Sequence, residues 1–130
     1  MSGPVGERRG SGGPWEAAYG YSRVVRVGPL AVTAGCTATV DGVVRHPGDA
    51  GAQTKLALQI ALDALAGVGI EPWQVVSTRM YVTDISRSDE VGTAHGEVFA
   101  GIRPAATMVE VSGLIDPAML VEVELQAWAG

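Results

Sequence analysis

Alternation of apolar and polar residues begins at Tyr21. The segment YSRVVRVGPLAVTAG reads as two short β-type runs, Tyr21 to Val27 and Leu30 to Ala34, broken at Gly28-Pro29 as a hairpin is broken. A third run around Val40 to Arg45 turns at Asp41-Gly42. The period then lengthens. In HPGDAGAQTKLALQIALDALAGVG, Gln53, Leu56, Ile60 and Ala64 recur at helical spacing and Leu58, Leu62 and Leu65 widen the apolar face. Lys55, Gln59 and Asp63 form the narrow polar stripe of this helix. Asp49 is its predicted N-cap, and Gly67 and Gly69 end it.

A strand of mixed alternation, Val75 to Val82, follows closely enough for a crossover. Ser86 with Asp89 forms a capping box that predicts a second helix over Arg87 to Ala100, whose inner face carries Val91, Ala94, His95 and Val98. RPAATMVEV is read as a strand with Ala105, Thr107, Val109 and Val111 on one face, and Ala106, Met108 and Glu110 on the other. After the loop SGLIDPAM comes LVEVELQAW, a last strand of strict alternation. The order ββ(β)αβαββ predicts an α+β fold, a mixed sheet with both helices on one face. Its other face needs a second subunit to cover it.

The first fourteen residues carry five glycines and two prolines and are expected to form a flexible arm ahead of a single domain over residues 15–130. Apolar residues make up 47% and charged residues 18% of the 130, a globular composition poor in surface charge. The net charge of −5, with Lys55 the sole lysine, argues against nucleic acid, which needs a concentrated basic patch. The lone Cys36 forms no intrachain disulfide and suits a reducing cytoplasm. With no signal peptide and no long apolar run, a soluble chain without a membrane partner is expected.

Several residues are candidates for chemistry, each with a plainer reading beside it. Glu122 and Glu124, two apart on a strand, share a face about 7 Å apart and suit acid and base roles, or simply an exposed polar face. Cys36 at a strand end is a nucleophile only if a cation or base neighbours it; otherwise it is a small buried residue. Arg103, held extended by Pro104, can clamp a carboxylate or pair with the body of the protein. Trp15, Glu16 and Tyr21 group at the end of the arm, either at a site or docking it. His95 on an apolar helix face and His46 in a turn read first as structural. No spacing of His, Cys and acid suits a metal, and no cofactor is called for.

RPAATMVEV, LVEVELQAW, GYSRVVRVG, AGCTA and VVSTRMYVTDI together resemble the YjgF/YER/RidA family over Tyr19 to Ala129. The resemblance implies a chorismate-mutase-like fold and a homotrimer with a central β-barrel. It also implies three small-molecule pockets at the subunit interfaces. Its best-known members hydrolyse imines and enamines of 2-keto acids to the keto acid and ammonia, and some relatives carry an endoribonuclease description. Where the family pattern reads P-A-R-[ST], this chain has Pro104, Ala105, Ala106 and Thr107, so Ala106 stands in the place of the carboxylate-clamping arginine. Glu122 aligns with the glutamate that positions water and Tyr21 with a pocket tyrosine, while Ala34 and Met108 replace a frequent serine and cysteine. The implied protein is an imine or enamine deaminase of an arginine-lacking kind, or a trimer that binds a small apolar metabolite without catalysis.

Overall fold

The structure is a computed structural model and describes residues 3–130. A six-stranded sheet forms its frame. The strands are β1 (Glu7–Arg9), β2 (Val24–Val27), β3 (Leu30–Thr33), β6 (Val75–Val82), β7 (Ala105–Glu110) and β8 (Val121–Trp128). Their spatial order is β1-β2-β3-β8-β6-β7, antiparallel throughout except for the β6–β7 pair. That one parallel pair is joined by a helix, α3 (Ser88–Phe99), because parallel neighbours cannot be linked by a tight turn. The long helix α2 (Ala50–Ala66) packs against α3, β8 and β3, so one face of the sheet is covered.

Alternation decides what enters the core. Val121, Val123, Leu125 and Ala127 of β8 point under the helices and are fully buried, while Glu122, Glu124, Gln126 and Trp128 face the other way. Leu58, Leu65 and Phe99 fill the space above them, each contributing about 1.5–3 kcal/mol by leaving water. Gln53, on the apolar face of α2, is fully buried and clamps the chain entering β8. Its amide donates to the Ala118 carbonyl at 3.0 Å and accepts from the Leu120 amide at 2.9 Å. A buried amide with both ends paired carries no desolvation penalty, which explains a polar residue on that stripe.

The start of α2 is as expected: the Asp49 carboxylate accepts from the Ala52 amide at 2.9 Å. Other expectations are corrected. The run Val40 to Arg45 is a separate two-stranded hairpin, β4 (Thr39–Val40) and β5 (Val43–Val44), turning through Asp41 and Gly42, both with positive φ. The capping box at Ser86 does not form. Asp84 instead accepts from the Ser86 amide and hydroxyl, capping a short 3₁₀ turn, Ile85–Arg87, and α3 begins at Ser88. Aspartate two residues ahead of serine closes an Asx-type turn more tightly than a capping box would.

Ahead of residue 15, where a flexible arm is expected, the described residues begin at residue 3. Glu7–Arg9 pairs with Arg26, Val25 and Val24 as β1, and a helix the alternation does not reveal, α1 (Pro14–Tyr19), follows. Both are mostly exposed. Backbone pairing holds β1, and Glu16, bonded to Ser11 and paired with Arg23, ties down α1; neither leaves a hydrophobic pattern.

Candidate functional site

Glu122 is the centre of the chemistry-bearing residues. β8 and the segment after β3 are tied by reciprocal backbone bonds between Cys36 and Val123, 2.7 and 2.9 Å long, which draws Gly35 against the Glu122 side chain. A glycine leaves room for this carboxylate, since a Cβ on residue 35 would stand 1.8 Å from Glu122 Oε1 and displace the side chain. No donor among the described residues reaches the Glu122 carboxylate within hydrogen-bond distance. Burial raises its pKa above the usual value, the Arg23 charge opposes this, and Glu124 adds to it. A half-buried carboxyl with no protein donor and a raised pKa is poised to exchange a proton with a bound molecule.

Arg23 is the principal residue that sequence reasoning misses. Its Nη1 donates to the Gly35 carbonyl at 2.5 Å and lies 3.7 Å from Cys36 Sγ. Nε stands 3.4 Å from Glu16 Oε2, and Nη2 reaches the Tyr21 hydroxyl at 3.4 Å, with the guanidinium 5.5 Å from the Tyr21 ring. Glu16 is itself held by Ser11, whose amide and hydroxyl both donate to its carboxylate. The arm therefore orients Arg23. The sole sequence signal for Arg23 is its two-residue offset from Tyr21.

The structure thus gathers Glu16, Tyr21, Arg23, Cys36 and Glu122, with Ala34 half-buried beside Gly35. Cys36 does have a cation beside it, contrary to its local sequence, yet burial dominates and pushes the thiol pKa up. Trp15 is half-buried on α1 next to Glu16, and its indole makes no hydrogen bond among the described residues. Glu124 shares the face of Glu122 as expected, but it is engaged: the Tyr81 hydroxyl donates to it at 2.6 Å and Arg79 Nη1 lies 3.7 Å away.

Ala106 and Met108 are not brought to Glu122 within one chain. β7 pairs with β6 in a register that sets Ala106 beside Thr78 and Met108 beside Met80, on the helix side, whereas Glu122 stands opposite Tyr81 on the open side. Met108 packs against the core. Arg103 is not extended: its φ is 55°, in the left-handed region, because its amide still bonds to the Phe99 carbonyl and closes α3. Its guanidinium forms no ion pair among the described residues, so pairing with the body of the protein is not found either. It lines a cleft of about 450 Å³ with His95, Phe99 and Pro104. His95 is satisfied there by Thr78 Oγ1 at 2.8 Å and packs on Phe99, and burial lowers its pKa. His46 lies exposed in the turn before α2. A second cleft, about 290 Å³, lies on the open face between Thr33, Arg79 and Glu124. Neither cleft includes Glu122.

The Endoribonuclease L-PSP family model matches residues 14–129. The chain belongs to this family, also called YjgF/YER057c/UK114. Rv2704 from Mycobacterium tuberculosis, a solved member, is 48% identical with a TM-score of 0.85, covering 94% of this chain and 98% of its own. A curated but uncharacterised protein of Streptomyces coelicolor is 38% identical over 120 residues, 92% of this chain and 90% of that one. TdcF of E. coli, solved with bound serine, is 19% identical at a TM-score of 0.79, covering 98% of this chain and 100% of that one, a likeness of fold alone. In this YjgF family member residues 104–107 read Pro-Ala-Ala-Thr, and the cation whose charge opposes the rise of the Glu122 pKa is Arg23.

Proposed function

We propose that this YjgF family chain hydrolyses a small imine or enamine, with Glu122 as the general base that activates water. The observation that carries this reading is the Glu122 carboxyl itself, half-buried over Gly35, without a hydrogen-bond donor among the described residues and raised in pKa. Water attacks the imine carbon while Glu122 takes one of its protons and the C=N pair moves to nitrogen. The same carboxyl returns that proton to nitrogen, giving a neutral carbinolamine, then takes the hydroxyl proton and delivers it to the amino nitrogen as the C–N bond breaks and the oxygen pair closes the C=O bond, leaving a carbonyl and ammonia. An enamine enters after tautomerising to its imine. No cofactor takes part.

The site is completed by a neighbouring subunit in this reading. Ala106 and Glu122 lie on opposite sides of one sheet, so only two copies can bring both to one pocket. The open face exposes Val27, Leu30, Val109 and Trp128, an apolar surface suited to the homotrimer. Sedimentation at micromolar concentration tests this, and a monomer would remove the interface pocket. The free Cys36 accords with a cytoplasmic setting.

The decisive assay is ammonia release from a panel of imines, comparing the natural chain with Glu122→Gln. Loss of turnover by about a hundredfold or more in the variant is expected, and full activity would dismiss the role. The alternative, a trimer that binds an apolar metabolite without catalysis, is favoured by Ala34 and Ala106, which remove polar groups from the implied pocket. It predicts ligand binding that Glu122→Gln leaves intact and no turnover. An RNA substrate fits poorly with a net charge of −5.

A further inference from the structure

Arg23 is an unusual cation for a ligand site, because most of its donors are already spent. Nε faces Glu16, and Nη1 serves the Gly35 carbonyl and Cys36 Sγ. Among the described residues Nη2 meets only the Tyr21 hydroxyl, at 3.4 Å, the long end of hydrogen-bond range. The guanidinium is thus fixed on three sides and offers a single edge. A pre-organised donor of this kind suits one acceptor atom better than the two oxygens of a carboxylate, which call for the open fork of an unpaired arginine.

The charges around it point the same way. Glu16 neutralises Arg23 directly, Glu122 stands within reach of the same charge, and Glu124 acts on Glu122 in turn. Arg79 and the Tyr81 hydroxyl are the groups facing Glu124. Three carboxyls against Arg23 and the more exposed Arg79 leave no surplus positive charge for an anion. Ala106 supplies none from the β7 edge.

We propose that Arg23 is the specificity-determining residue of this site and that, through Nη2, it selects imines carrying a neutral carbonyl acceptor, such as an amide or ester, beside the imine carbon, in preference to free 2-imino acids. This rests on the hydrolase reading for its reaction and on geometry for its selectivity. The step consumes one water and releases ammonia, leaving the neighbouring carbonyl group unchanged.

The test compares 2-iminopropanamide with 2-iminopropanoate, each generated in situ, on the full-length protein. The natural chain is expected to favour the amide in kcat/KM by about tenfold or more, and Arg23→Gln to erase that preference mainly through KM. Preference for the acid, or an amide-to-acid ratio unchanged in Arg23→Gln, overturns the inference. If neither imine is turned over, the hydrolase reading fails, and calorimetric titration with pyruvamide and pyruvate decides the selectivity alone. Pyruvamide binding that is lost in Arg23→Gln upholds it, whereas equal binding of both, or binding of neither, overturns it. Should Arg23→Gln fail to fold, Arg23→Lys, which keeps the charge but not the Nη2 edge, takes its place with the same outcomes.

Discussion

Gly35 and Glu122 occupy one another's space: a methyl group on residue 35 would stand 1.8 Å from Glu122 Oε1 and 2.7 Å from its carboxyl carbon. Gly35→Ala is therefore expected to expel the carboxyl from its position. Turnover should fall by about tenfold or more, with a stability loss of about 1–3 kcal/mol from overpacking. Adding Glu122→Ala to Gly35→Ala should recover most of that stability, and a double-mutant cycle in urea measures the coupling. Additive effects would show that the two residues do not compete for space.

Glu122 and Glu16 should respond to pH in opposite senses. Burial raises the Glu122 pKa above 4.5 in the folded chain, so ionising it opposes folding once pH rises through that raised value. Glu122→Gln should melt higher than the natural chain near neutral pH, with the difference vanishing below about pH 4. For Glu16, burial pushes upward, but the Ser11 hydrogen bonds and the Arg23 charge outweigh it and hold the carboxyl below 4.5. Its stabilisation is present above 4.5 and is lost as pH falls through the lowered value. Glu16→Gln should cost about 1 kcal/mol near neutral pH and less in acid. Melting curves across pH check both signs.

Cys36 is 1% exposed, and burial raises its pKa despite Arg23 nearby. Alkylation of the folded protein should run at least about tenfold slower than for a free thiol, because the thiolate is the reactive form. Denaturant should restore the free-thiol rate. Fast labelling of the native chain would mean that the strap between β3 and β8 opens readily.

Asp49 caps α2 through the Ala52 amide. Asp49→Ala should lower stability by about 1 kcal/mol in chemical denaturation and leave the ammonia assay unchanged, since the cap lies on the helix layer away from Glu122. An effect on activity larger than on stability would tie α2 to the site.

Much of the fold was legible in the sequence because it is written in local periods. The helical period of α2, the strict alternation of β8 and the two-residue offset of Glu122 from Glu124 each express which side of an element meets the core; the structure keeps the last two, but turns the buried face of α2 onto Gln53, Thr54, Ala57, Leu58, Ala61 and Leu65, with Leu56, Ile60, Leu62 and Ala64 half-buried at its flanks. The run from Tyr19 to Ala129 also carried the family. β1 and α1 were not legible, as their order comes from backbone pairing and from Glu16 meeting Ser11 and Arg23, none of which leaves a hydrophobic pattern. The capping box at Ser86 lost to Asp84 because local rules name candidates and geometry chooses among them.

The sequence by itself determined the layers of this protein, the strand faces and the presence of a carboxylate pair, because burial periodicity is a property of neighbouring residues. Only the tertiary structure decided what stands beside Glu122. Gly35, just after β3, lies against it and the charge of Arg23, just before β2, acts on it, while Ala106 lies on the opposite side of the same sheet. Contacts between residues distant in sequence depend on sheet register and chain closure, which no local pattern records.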